Sequence, residues 1–259
     1  MAENKGILPV LTFNTLGDNE HKWEAVYAKK YYDAEGNEIT KTENNEVTYF
    51  YTNGTYIVPK NVETIYVSGC AGGGGGSFCG GGGGGESIYR KKIAVTPGET
   101  INVTIGTGGA SAYSAVTSTG TTLKNAGDGG NTIFGNYFTL AGGKGIKYNS
   151  SAKETQMPLA GGNGATNGGY CAVMRYNSTT SVYWVGGKGG DSLFGKGGSG
   201  GTWSVGCALN NLSSTYMHGT DGIGYGSGGG GCGLRWVGSN SYVTGSGAGA
   251  NGILIIEVA

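Results

Sequence analysis

Along residues 46–70 the apolar positions fall into short runs of strand character. The run 47–51, Val-Thr-Tyr-Phe-Tyr, is rich in β-branched and aromatic residues and predicts a strand. Asn53-Gly54 then reads as a hairpin turn, with 55–58 as the returning strand. Pro59 ends that strand, and 62–67 starts another with partial alternation. Downstream, 88–90 and 92–95 are strand-like, and Pro97-Gly98-Glu99 is a turn. Residues 100–106 alternate cleanly between apolar and polar, and the run 253–256, Ile-Leu-Ile-Ile, has the character of a buried strand. A domain that opens and closes with strands is expected to pair them in one sheet. Residues 1–45 differ: they hold much charge and little glycine. Trp23, Val26 and Tyr27 there have a spacing that either a short amphipathic helix or a strand can use. This segment is too short for a core of its own and is expected to serve in attachment or oligomerisation, with the main β domain spanning 46–259.

Glycine changes the picture. The chain has 57 glycines in 259 residues, close to the composition at which low-complexity disorder is the default. Against disorder stand 17 Tyr, 6 Phe and 4 Trp, and a charged fraction of only 13%. Residues 72–76 and 80–85 are uninterrupted glycine. Ordering one glycine costs about 0.5–1 kcal/mol more than ordering an alanine, so ordered runs must gain something that only glycine permits. Close approach of backbones is that gain. Extended helices of the polyproline II type have about three residues per turn and no internal hydrogen bonds, so side-chain-free rods can lie together and bond to one another. Collagen is excluded because no strict Gly-x-x period runs through the chain. The fold expected is all-β: a sandwich-like glycine-rich domain with packed polyglycine helices and long aromatic loops. A weak repeat relates 129–135 to 189–195, each two glycines followed by polar, hydroxyl and aliphatic residues and Phe-Gly.

Charge and chemistry narrow the function. With 17 basic and 17 acidic residues, and Arg90-Lys91-Lys92 as the one basic cluster, nucleic-acid binding is not expected. That triplet reads as the solvated end of a strand. No apolar run is long enough to span a bilayer and no signal peptide is visible, which suggests synthesis in a cytosol without membrane insertion. The five cysteines include no C-x-x-C pair and are expected to be free, small buried residues. Only His21 and His218 are present, neither beside a nucleophile motif. Asp128, Asp191, Asp221 and Glu154 do not form a recognisable carboxylate pair, and three of them adjoin glycine, as turn residues do. No catalysis, cofactor or metal is expected. Four segments between glycine clusters, 146–159, 170–184, 202–218 and 234–242, are long and aromatic. They carry Tyr148, Tyr176, Tyr183, Trp184, Trp203, Tyr216, Trp236 and Tyr242. Such side chains offer large, rigid contact area to sugars and proteins, with Asn149, Asn177, Asn210 and Asn240 as hydrogen-bonding groups, so they are the receptor-binding candidates. The bland alternative is that they cap glycine layers or pack between subunits.

The ordered set of motifs resembles a known family. Tyr56-Ile57-Val58-Pro59, Ile65-Tyr66-Val67, the two glycine runs, Val95-Thr96-Pro97-Gly98-Glu99-Thr100-Ile101, Phe134-Gly135 and the ending from Gly249 to Glu257 are similar to the glycine-rich domain of bacteriophage tail-fibre and adhesin proteins. The likeness covers about 46–259. Leu16-Gly17, Trp23, Val26-Tyr27-Ala28 and Gly36 resemble a short element of phage fibres found near trimeric stalks. The resemblance implies a virion fibre made in the bacterial host cytoplasm, a homotrimer, and contacts with other fibre or baseplate proteins through the N-terminal segment. It also implies a tip that binds a host cell-surface glycan or outer protein. Three other readings follow from the residues: a purely structural capsid fibre, decoration or stalk; a polysaccharide depolymerase, which the carboxylates disfavour; and an ice-binding protein, which would need flat threonine-rich faces.

Overall fold

The computed structural model describes residues 46–78, 80–113, 117–118, 124–147, 168, 172–175, 181–203, 216–237 and 240–258. Trp23, Val26 and Tyr27, and with them the whole expected attachment segment, lie outside the described residues. Among those described there is no helix, and every named strand pairing is antiparallel.

The strands in chain order begin with β1 (Val47–Phe50), β2 (Gly54–Ile57), β3 (Thr64–Cys70), β4 (Ser87–Ala94) and β5 (Thr100–Thr104). There follow β6 (Thr117–Ser118), β7 (Thr132–Phe134), β8 (Phe138–Leu140), β9 (Ala172–Arg175), β10 (Ser181–Val185), β11 (Gly195–Lys196) and β12 (Thr202–Trp203). The last are β13 (Tyr216–Met217), β14 (Ile223–Gly224), β15 (Leu234–Val237), β16 (Asn240–Val243) and β17 (Ile253–Val258). Two four-stranded sheets, β1-β17-β3-β4 and β2-β5-β7-β8, enclose the main core. Alternation places Ile101 and Val103 of β5 inward, and they meet Ile65, Val67, Leu254, Ile256 and Phe134. The first and last strands do pair, Val47 opposite Glu257.

Two local expectations are corrected. Asn53-Gly54 does not close a hairpin: β1 pairs with β17 and β2 with β5, so the chain changes sheets there. The Asn53 side chain instead accepts the Ile105 N–H at 2.8 Å, a bond that fixes the corner. Residues 88–95 are not two strands, because β4 continues through a bulge between the Val67 and Gly69 pairings. Arg90 sits at that bulge with φ 44, its N–H bonded to the Ser68 hydroxyl at 2.9 Å. Its guanidinium lies 4.9 Å from the Tyr66 ring centroid and pairs with Glu257. Arg90, Lys91 and Lys92 thus lie within an edge strand rather than at a strand end, where exposed cations discourage edge-to-edge pairing.

From the sandwich the chain runs repeatedly through glycine segments. Residues 71–77 form the innermost one, and all are buried. Their N–H groups donate in strict rotation. Ala71, Gly74 and Ser77 bond to the carbonyls of Glu86, Gly83 and Gly80; Gly72 and Gly75 to those of Gly130 and Gly127; Gly73 and Gly76 to those of Ala250 and Gly247. The carbonyls rotate in the same way. Gly72 and Gly75 accept from Gly143 and Ile146, Gly73 and Gly76 from Gly109 and Ala112, and Gly74 and Ser77 from Gly229 and Cys232. A step of three is the repeat of an extended helix with about three residues per turn. Six neighbouring segments therefore surround 71–77, and every one of its N–H groups is paired. Side chains have no room: a Cβ on Gly73 would lie 2.0 Å from the Ser227 carbonyl oxygen, and one on Gly75 2.1 Å from that of Ala110.

Candidate binding surface

At several glycine segments a polar side chain, in place of a neighbouring carbonyl, accepts the backbone N–H. Asp128 Oδ1 accepts the Gly145 N–H at 3.0 Å, and Asn131 Oδ1 that of Gly142 at 3.0 Å. His218 Nδ1 and Asp221 Oδ1 take the N–H groups of Gly245 and Ala248 at 2.6 and 2.7 Å. In both pairs the acceptors are three residues apart, the step of the segments themselves. Asp191 Oδ1 accepts from Gly197 at 2.7 Å. The expectation that Asp128, Asp191 and Asp221 are simple turn residues is therefore corrected: they end the lattice. Lys188 lies 2.7 Å from Asp191, and its hydrogen bond, with that of Gly197, holds the carboxyl below the usual carboxylate range. Burial disfavours charge on Asp128, but Lys147 at 2.9 Å, the Gly145 N–H and Lys144 outweigh it, so that carboxyl is also lowered.

The glycine segments lead away from the sandwich to a second group of strands. Segment 105–113 joins β5 to the stretch holding β6, and 124–131 returns to β7. Segment 244–252 joins β16 to β17, and 186–190, 197–201, 218–222 and 226–233 start or end at β10, β12, β13 and β15. The foot of this second group is well anchored. Phe78, Tyr113, Cys232 and Val243 are buried. The Tyr113 hydroxyl accepts the Lys124 N–H at 2.8 Å, and Thr244 Oγ1 accepts that of Gly233 at 2.8 Å.

Six of the eight aromatic candidates lie on these strands, so those parts of the expected loops are in fact paired backbone. Sheet order is β6-β16-β15-β10-β9. Tyr183 of β10 stands opposite Arg235 of β15, and Arg235 opposite Tyr242 of β16. Trp184 faces Leu234 across the ladder, and Trp236 is paired with Val182 on one side and Ser241 on the other. Trp203 and Tyr216 are direct partners in the β12–β13 ribbon, and β12 runs beside β10 and β15. Asn240 is paired with Val237. Tyr148, Tyr176, Asn149, Asn177 and Asn210 lie outside the described residues.

A second exposed aromatic group was not singled out from the sequence. At the sandwich, Tyr49 stacks on Tyr51 with centroids 6.2 Å apart, and Tyr51 lies 5.8 Å from Tyr225. Leu193 and Ile223 are exposed, and the Leu193 N–H reaches the Ser87 hydroxyl. The alternation of Val47, Tyr49 and Tyr51 was the available signal.

Of the cysteines described, Cys70 carries a free thiol, and both Cys70 and Cys232 are buried. Burial pushes the Cys70 thiol up to about 11 against weaker opposing hydrogen bonds from Ile253 and Ser192. Among the described residues no group of His, Cys, Asp and Glu could hold a metal ion, and no helix is long and apolar enough to cross a membrane. A family model described as a glycine-rich domain matches residues 48–259. No curated protein matches the chain.

Proposed function

The chain belongs to the glycine-rich domain family, and from that starting point we propose that it is a bacteriophage fibre adhesin that attaches the virion to the host cell surface. In this reading the sandwich and glycine segments are a stiff carrier and the aromatic strands are the tip. Binding is to a host glycan or outer protein, with no reaction and no cofactor. The N-terminal segment with Trp23, Val26 and Tyr27 joins three copies to one another and to other fibre or baseplate proteins. The protein is made in the bacterial cytoplasm and resides in the virion.

The observation that carries the reading is the gathering of Tyr183, Trp184, Trp203, Tyr216, Trp236 and Tyr242 on strands at one end of the glycine segments. Rigid scaffold with recognition groups displayed at its end is a common binding arrangement. The test uses the purified full chain on a panel of bacterial strains, beside its mass in solution. We expect binding to particular strains by a trimer. Replacing Trp184, Trp203 and Trp236 together with alanine should abolish attachment while leaving the thermal midpoint of the glycine core in place. A chain that binds virions but no cells would contradict the adhesin reading and favour a purely structural fibre or decoration.

A further inference from the structure

Resting on the adhesin reading, we propose that the Tyr183–Arg235–Tyr242 row of the five-stranded sheet recognises an acidic glycan, a surface polysaccharide whose sugar rings carry carboxylates. The register sets Arg235 between the two tyrosines on neighbouring strands. Two strand spacings separate the tyrosine positions, about 10 Å, the span of a disaccharide. Aromatic rings take the apolar faces of sugars, and tyrosine does so at low entropic cost. A guanidinium fork matches a carboxylate bidentately, which lysine cannot do.

The distribution of charge points the same way. The chain has three arginines, Arg90, Arg175 and Arg235. Two of them lie in this sheet: Arg235 in the tyrosine row, and Arg175 in the adjacent row of Val182 and Trp236, which period-two alternation assigns to the other face, so Arg235 is the arginine that serves this row. The strands β6, β9, β10, β12, β13, β15 and β16 contain no Asp or Glu. The aromatic positions are thus accompanied by arginine without a carboxylate in the same strands. An acidic sugar complements that charge.

The test measures binding of the full chain to three carboxylated polymers of different sugars, polygalacturonate, alginate and hyaluronate, and to the same polymers with their carboxyls reduced to alcohols. At least one carboxylated polymer should bind, and reduction should weaken it by about tenfold or more, the factor for losing a charge-assisted pair. Arg235→Gln should lose as much at an unchanged thermal midpoint, Arg235→Lys should recover only part, and Lys92→Gln on the distant β4 should change nothing. If Arg235→Gln does not fold, Arg235→Lys carries the comparison. Binding to none of the three polymers, equal binding of the reduced form, or equal losses in Arg235→Gln and Lys92→Gln would overturn the inference. Cell attachment separates the two readings. Strains held equally by the parent and Arg235→Gln leave the adhesin standing and remove the acidic glycan, whereas attachment to no strain removes the adhesin itself.

Discussion

A Cβ added to Gly74 would stand 2.3 Å from the carbonyl oxygen of Lys144. That oxygen belongs to a neighbouring glycine segment, and it accepts the Gly83 N–H at 3.0 Å. The obstacle is therefore backbone held by its own hydrogen bonds, not a side chain able to swing away. Gly74→Ala should cost about 4 kcal/mol or more, the range reserved for severe core disruption. Gly98 supplies the contrast. It has φ 78 and nothing within 4 Å of a Cβ, so Gly98→Ala should cost about 1 kcal/mol from backbone strain alone. Denaturant unfolding of both variants measures the difference, and equal losses would mean the close approach at Gly74 is not real.

Edge caps give a second, subtler contrast. Asp128→Ala removes the acceptor of the Gly145 N–H and should destabilise by about 1–2 kcal/mol. Asp128→Asn keeps an oxygen there and should cost about 0.5 kcal/mol or less, because the lost ion pairs are solvent-exposed.

The same carboxylates set an acid limit. Asp128 and Asp191 are both lowered in the folded chain, so the unfolded chain binds protons first. Their contribution is complete above the ordinary aspartate range near pH 4 and is lost as pH falls through the folded values. Thermal midpoints should therefore be flat on the acid side down to about pH 4 and then drop. The drop should be smaller in Asp128→Asn.

Cys70 tests burial at the junction of sandwich and lattice. Its thiol is pushed up to about 11, so it stays protonated and unreactive at neutral pH. A thiol reagent followed by mass spectrometry should label Cys70 only after global unfolding. The shift stabilises the fold fully below the unfolded thiol range near pH 8.5 and is lost as pH rises towards the folded value.

Much of the sandwich is legible in the sequence because period-two alternation marks it: β5 and β17 stand out from their apolar positions, and Pro97-Gly98 is a turn with the positive φ that glycine supplies. Asn53-Gly54 misleads because the hairpin signal is local, while pairing is decided by the core that claims β1 for one sheet and β2 for the other. The repeat at 129–135 and 189–195 is real in sequence but unequal in structure. Phe134 is fully buried in the core, whereas Phe194 is only half-buried and outside it. The aromatic segments read as loops because their strands are short and carry polar residues. Two of their pairings, β9–β10 and β15–β16, join strands close in sequence, but β10–β15 and β6–β16 join strands far apart in the chain, which no local pattern announces. Asp128 and Asn131 could have been recognised as caps from their spacing of three, once the glycine runs are given that period.

The central claim is that residues 71–77 are ordered because six surrounding segments satisfy their backbone. Amide hydrogen exchange of the intact protein tests it most directly. The account predicts that the N–H groups of Gly72 to Gly76 exchange only through global unfolding, as slowly as those of Val67 and Leu254 in the sandwich core. Exchange of those glycines at the rate of free peptide, while Val67 and Leu254 stay protected, would contradict it.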